Sequence, residues 1–247
     1  MAKPIRISGD IDFNKLLRRL SDDIVKAPAF LRMHKELREH FAKHEDEINQ
    51  SPFFWAMVDE SIWITGWSTL ARIYDQEQNA LSLRSLLLTI EANKYLFYDD
   101  AVIKRIAPSN PTFVENIVPG SHLPESTILL QDLSLVSDDD PLVHKVVLWR
   151  GNFGAHTSSK QTIKRTLSET DLPSQDEALA LCERAFDVFN RYSSLFHAVH
   201  HSRMIINEKG SMESVFRYLR RGLAACREDQ DRATEELLKA LKIGKPA

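Results

Sequence analysis

Arg150 and His156, in the run Trp149-Arg150-Gly151-Asn152-Phe153-Gly154-Ala155-His156, are the residues of this sequence best suited to chemistry. A histidine with an ordinary pKa of about 6.5 can take or give a proton at neutral pH. An arginine stays charged and offers a planar fork of donors that matches two phosphate oxygens. Together they are a sufficient minimum for cutting RNA without a metal. That reaction needs a base for the 2'-hydroxyl proton, an acid for the leaving oxygen and positive charge for the crowded phosphorane. Dependence on the 2'-hydroxyl restricts such cleavage to RNA and leaves a terminal cyclic phosphate. The plainer reading is that Arg150 and His156 cap and hydrogen-bond a helix end.

Geometry constrains the pair. Six positions along an ideal helix amount to a rotation of ~240° and a rise of ~9 Å, so the two side chains would not share a face. Two devices can bring them together. Gly151 and Gly154 can bend or end the helix between them, and a two-fold dimer can bring a second Arg150 and His156 into one cleft.

The formal charge of -3 gives no global footprint for a polyanion, so RNA binding would need a local patch. Lys160, Lys164 and Arg165 follow the motif closely enough to line an RNA groove, whereas Arg217, Arg220, Arg221 and Arg227 fall on a later helix. No metal site is expected: His197 and His201 are four apart, but no carboxylate accompanies them at ligand spacing. His34, His40 and His44 lie in a charged segment that reads as solvated, and Trp55, Trp63 and Trp67 read as core filling.

The elements that must position these residues are helical. Phe13, Leu16, Leu17, Leu20 and Ile24 form one amphipathic stripe that Pro28 interrupts, and a charged, partly exposed helix follows to Asn49. Ser51-Pro52 opens the most apolar segment, predicted to run to Tyr74 as the central helix and to pair with the helix carrying the motif. Ser82 caps a leucine-rich helix, and Asp99 and Asp100 open a shorter one. Four of the ten prolines, from Pro108 to Pro124, mark a loop. A short helix over 128–136 precedes the motif helix, which starts behind Asp138-Asp139-Asp140-Pro141. Ser174 with Glu177 forms a capping box for the next helix, and a last one runs from Ser211 to about Leu241.

Only 8 glycines against 43% apolar and 27% charged residues fit a helical globular protein and not a disordered one. Cys182 and Cys226 have no zinc spacing and read as reduced core thiols. The start, MAKPIRISGDIDFNKLL, has no apolar signal region, and no run is long enough to span a membrane, so a cytoplasmic protein without membrane contact is expected.

The motif resembles the signature of HEPN domains, an arginine and a histidine separated by four to six residues at a helix end, often written Arg-Asn-x-x-x-Ala-His. Upstream, TLARIYDQEQNALSLRSLLLTI (69–90) resembles the helix, Arg-x-x-Asp, loop, Ser-Leu, helix stretch of the abortive-infection, AbiU-like branch, with Arg72, Asp75, Ser82 and Leu83 carrying the likeness. The resemblance covers residues 30–200. One position departs from it: the family places Asn, Asp or His directly after the arginine, and this chain has Gly151 there, with Asn152 one step later.

The resemblance implies an all-α, HEPN-like bundle over 1–205 with a C-terminal helical extension over 206–247. It implies a homodimeric, metal-independent endoribonuclease without cofactor, a toxin or phage-defence effector held in check by an antitoxin partner, with Arg150, Asn152 and His156 at its site. Two alternatives stand beside it: a non-catalytic HEPN-like module that binds nucleotide, RNA or a protein partner, and a helical scaffold without an active site.

Overall fold

The computed structural model describes residues 2–110, 112, 117–154, 168, 171–202 and 211–243. Among them are nine α-helices and no strand. The helices are α1 (Asp10–Lys43), α2 (Glu45–Asn49), α3 (Pro52–Ile73), α4 (Leu83–Ala92), α5 (Asp99–Ile106), α6 (Ser126–Leu135), α7 (Pro141–Trp149), α8 (Gln175–His197) and α9 (Ser211–Ile243). A 3-10 turn over Lys94–Phe97 follows α4, and a π-helical turn over Arg150–Gly154 follows α7. The chain divides into two units, 1–32 with 62–205 and 33–61 with 206–247. Residues 206–247, expected as an extension, thus group with 33–61.

The core of the first unit is lined by α1 at Phe13, Leu17, Leu20, Ile24, Ala27 and Leu31, all buried at alternating spacings of four and three. This stripe explains why α1 continues through Pro28, where the sequence predicts a break. A proline inside a helix removes one hydrogen bond and clashes with the preceding turn, at a cost of about 3 kcal/mol. Burying Ala27 and Leu31 in register with the residues before them offsets much of that, since a fully buried leucine contributes about 1.5–3 kcal/mol.

Phe13, Phe97 and Phe196 meet edge to face, with ring centroids 4.7 Å apart for Phe13–Phe196 and 5.8 Å for Phe13–Phe97. The Arg105 guanidinium lies 3.6 Å from the centre of the Phe196 ring and donates to the carbonyls of Phe196 and Leu96. Burial lowers its pKa to about 10. Asp132 of α6, almost fully buried, accepts from Arg191 and from the Tyr192 hydroxyl, so it ties α6 to α8. The Ser174–Glu177 capping box forms as the sequence predicts, and α8 ends at Ala198 in the left-handed conformation.

The second unit has its own aromatic centre. Phe216 of α9 is fully buried and stacks on His44, His40 and Trp55, with centroids 4.5, 5.0 and 5.2 Å away. Arg220 donates to Glu47, and Arg227 faces Asp46, so part of the basic cluster on α9 is taken up by ion pairs. From Ala224 to Leu241 every residue of α9 is exposed, Cys226 included. Cys226 is therefore not the core thiol the sequence suggests. Cys182 is, and burial pushes its thiol up to about 12.

Two further expectations change. Burial along α3 is confined to particular positions: Trp55, Trp67, Leu70, Ala71 and Ile73 are buried, whereas Phe53, Phe54 and Met57 are exposed. An apolar circumference alone does not tell which positions find a partner. The histidines of α1 and its end are not solvated either. His34 Nε2 lies 3.3 Å from Asp59, and His40 and His44 are each only 6% exposed. No helix among the described residues is long and apolar enough to cross a membrane.

His197 makes the first unit sensitive to mild acid. Burial, with help from the Arg105 and Arg18 charges, lowers its pKa from 6.5 to about 4. Its Nε2 donates to Asn14 Oδ1 at 2.8 Å. Between these two pH values the unfolded chain takes up the proton more readily than the folded one, so this residue's contribution to stability falls as pH drops from 6.5 toward 4. His197→Gln should flatten that part of the curve. Chemical denaturation of parent and variant at pH 7 and pH 5 measures it; equal losses in both would show that His197 does not titrate as this geometry requires.

Candidate active site around Arg150

The site is built from the C-terminal end of α7 and the loop that follows α3. Asp140 caps α7 by accepting from the backbone amides of Leu142 and Val143, and Pro141 is pre-set for the first helical position. Val143, Val146 and Trp149 face the core. Trp149 stacks on Trp67 at 5.7 Å and meets Trp63 edge-on at 5.8 Å, so the motif helix pairs with α3 as the sequence predicts. That indole cluster fixes the position of the next residue, Arg150.

Arg150 heads the π-helical turn, so α7 neither ends nor continues regularly at the glycines. A π turn bonds i to i+5 and accommodates one extra residue, which shifts the register of whatever follows; such turns are frequent at functional sites. The Arg150 side chain is about one-third exposed and donates through Nη1 to Asp75, a residue only 5% exposed. Its other terminal nitrogen, Nη2, lies 3.4 Å from Glu77, whose side chain is 73% exposed. Asp75 is held in turn by the backbone amide of Glu77, which donates to Oδ1 at 2.9 Å. Gln76 bridges the same loop to the carbonyls of Tyr74 and Val136. Asn152 turns back to donate to the Leu148 carbonyl at 2.8 Å.

The likeness read from residues 69–90 now has physical content. Asp75 fixes Arg150. Arg72 grips Asp23 of α1 through Nε and Nη2 and also reaches Thr69, while Arg19 adds a second contact to Asp23. Burial raises the Asp23 pKa, but the hydrogen bonds from Arg72 and Arg19 outweigh it and hold the carboxyl below its ordinary value. Ser82 forms a capping box with Ser85 at the start of α4, and Leu83 is fully buried. A family model for AbiU2 HEPN domains matches residues 10–212. The chain belongs to that family. This AbiU2-type HEPN domain, of the abortive-infection branch, has no significant match among curated proteins and none among solved structures.

Of the residues singled out in the sequence, Arg150 and Asn152 stand on the π turn of the HEPN domain. His156, Lys160, Lys164 and Arg165 lie outside the described residues. Asp75 and Glu77, the partners of Arg150, were not legible as site residues; the one sequence signal was the place of Asp75 in the Arg-x-x-Asp stretch. The His197 group is committed elsewhere: His197 to Asn14, His200 Nε2 to Asn190 at 3.3 Å, and the His201 backbone amide to the same asparagine.

No steric reason for a glycine at position 151 is found among the described residues, since a Cβ built there meets none of their atoms within 4 Å. A glycine in a helical turn costs roughly 0.5–1 kcal/mol relative to alanine. Gly151→Ala should raise the unfolding free energy by about that amount, read from urea denaturation. A destabilised variant would show that the turn needs glycine's conformational freedom.

Proposed function

We propose that this HEPN domain is a metal-independent endoribonuclease, an effector of abortive infection that degrades RNA, restrained in the cell by an antitoxin partner. Arg150 binds the scissile phosphate and His156 transfers protons. Asn152 supplies a further polar contact, and Lys160, Lys164 and Arg165 line the path of the RNA. The 2'-hydroxyl gives up its proton to a base and its oxygen attacks phosphorus. The 5'-oxygen leaves with a proton from an acid, which yields a 2',3'-cyclic phosphate and a 5'-hydroxyl. A homodimer, in which the motifs of two copies share a cleft, supplies base and acid from separate histidines.

The observation that carries this reading is the grip of buried Asp75 on Arg150. A carboxylate hidden from water holds one terminal nitrogen of the guanidinium fork, and among the described residues the other faces Glu77, a side chain largely in solvent. A phosphate can replace Glu77 there without disturbing Asp75. Asp75 is therefore a positioning residue, and Glu77 competes with the substrate. The second reading, an interaction module that binds RNA or a partner protein without cutting, is favoured by Gly151, which stands where the resemblance implies a polar residue.

The two readings separate experimentally. With purified protein and a single-stranded RNA, His156→Ala should lower the cleavage rate by about 10²- to 10⁴-fold, the usual range for a lost proton-transfer group. Arg150→Lys keeps a charge for Asp75 but loses the fork, and should also abolish most of the activity and any growth toxicity. Folded variants that cleave as fast as the parent would remove the ribonuclease assignment. If parent and variants bind RNA alike and none cleaves, the interaction module stands.

Glu77→Gln should strengthen RNA binding and Asp75→Asn weaken it, as read by fluorescence anisotropy. The opposite order would contradict the roles given to the two carboxylates. Sedimentation at tens of micromolar protein tests the shared cleft, and a monomer would count against it.

A further inference from the structure

Within the second unit, His40 and His44 stand one turn apart on α1 and just beyond its end, and Glu213 lies in the first turn of α9. Ligand atoms of all three come within 4.8 Å of one another. Both imidazoles are buried, yet His40 is unsatisfied. Its Nδ1 has no hydrogen-bond partner among the described residues. Its Nε2 lies 3.7 Å from Glu36 and 3.9 Å from Glu213, too far for a hydrogen bond to either. A buried ring nitrogen without a partner is costly, because it has lost its water and gained nothing. Carboxylates gathered around a ring nitrogen, without bonding it, are what a missing cation would draw together.

We propose that His40, His44 and Glu213 hold a divalent first-row transition ion, for which zinc is the natural probe, and that this ion fastens α9 to the end of α1. Two imidazoles and a carboxylate suit zinc, nickel or cobalt and disfavour the oxygen-seeking magnesium and calcium. The ligand atoms need to close to roughly 3.3 Å to surround an ion at ~2.0–2.1 Å. Glu213, 65% exposed on its side chain, has the freedom to make most of that movement. Phe216 walls the site with apolar surface.

His44 carries a built-in control on binding. Arg220 donates to its Nδ1 at 2.7 Å and can only donate, so the His44 proton sits on Nε2. For Nε2 to bind a metal, that proton moves to Nδ1 and Arg220 releases the ring while keeping its 2.8 Å bond to Glu47. Glu47 Oε1, 3.8 Å from Nδ1, then becomes the carboxylate that orients the ligating histidine. No proton is lost in the exchange. Arg220 thus competes with the metal, both as a donor to the ring and as a nearby positive charge.

The full chain, stripped with a chelator, should bind zinc at one ion per chain in a competition titration with a chromophoric chelator. Cobalt should give the visible bands of a low-coordinate site. His40→Ala and His44→Ala should weaken binding more than about a hundredfold, and Glu213→Gln by about tenfold. Glu213 is exposed, so its variant keeps the test valid if either histidine variant fails to fold. Arg220→Gln should tighten binding, which a merely structural histidine pair would not do. His200→Ala with His201→Ala should leave the titration unchanged. No saturable binding by the parent, equal binding by the Glu213 variant, or loss on changing His200 and His201 would overturn the site. Because cleavage is not the readout, the outcome is independent of the ribonuclease reading.

Discussion

A carboxylate as buried as Asp75 needs hydrogen-bonding partners in place of water, and the organisation of the Arg150 site follows from that constraint. Its partners are a backbone amide two residues on and the guanidinium of Arg150, 75 positions later in the chain. Removing the arginine would leave an uncompensated charge beneath the surface, which is far more costly than losing an exposed ion pair. The loop after α3 and the end of α7 are therefore held together by electrostatics where the tryptophan cluster beneath them leaves off. Trp63, Trp67 and Trp149 set the approach of the helices, and Asp75 sets the aim of the arginine.

The same logic recurs at other joints of the first unit. Asp23 is gripped by Arg72 and Arg19, and Asp132 by Arg191 and Tyr192. In each case a carboxylate under 10% exposed on one helix is met by an arginine on another or on its own helix, with the arginine's outer edge left to solvent. Such pairs add little net stability over an apolar packing, but they penalise any arrangement in which the partners do not meet. A bundle made largely of leucine and phenylalanine slides easily between packings of similar energy. Buried pairs fix which packing is adopted, and the Asp75 pair fixes the position of Arg150.

The second unit relies on aromatic contact instead. Phe216 is the one residue of α9, among the described residues, that is fully buried, and it is enclosed by two histidines and a tryptophan. Few side chains of the long helix share in that burial, and beyond Leu223 none does among the described residues. An interaction carried by so few contacts is open to reinforcement by a ligand that binds only the folded arrangement. The unsatisfied imidazole at its centre is the place where such reinforcement has a chemical handle.

The sequence by itself determined the helices and most of their ends. Those are local matters: the Ser82 and Ser174 caps, Asp140 before Pro141 and the apolar spacing of α8 act over a turn or two. It also pointed to Arg150, and to a family whose pattern spans most of the chain. It could not show that α1 runs through Pro28, because that depends on whether Ala27 and Leu31 find a core to enter. Nor could it show that His40 and His44 are buried: the residue that covers them, Phe216, is more than 170 positions away. Only the tertiary structure decided which carboxylate meets Arg150 and which faces of α3 find partners. Burial and charge pairing are properties of surfaces brought together by packing, and spacing along the chain carries no record of them.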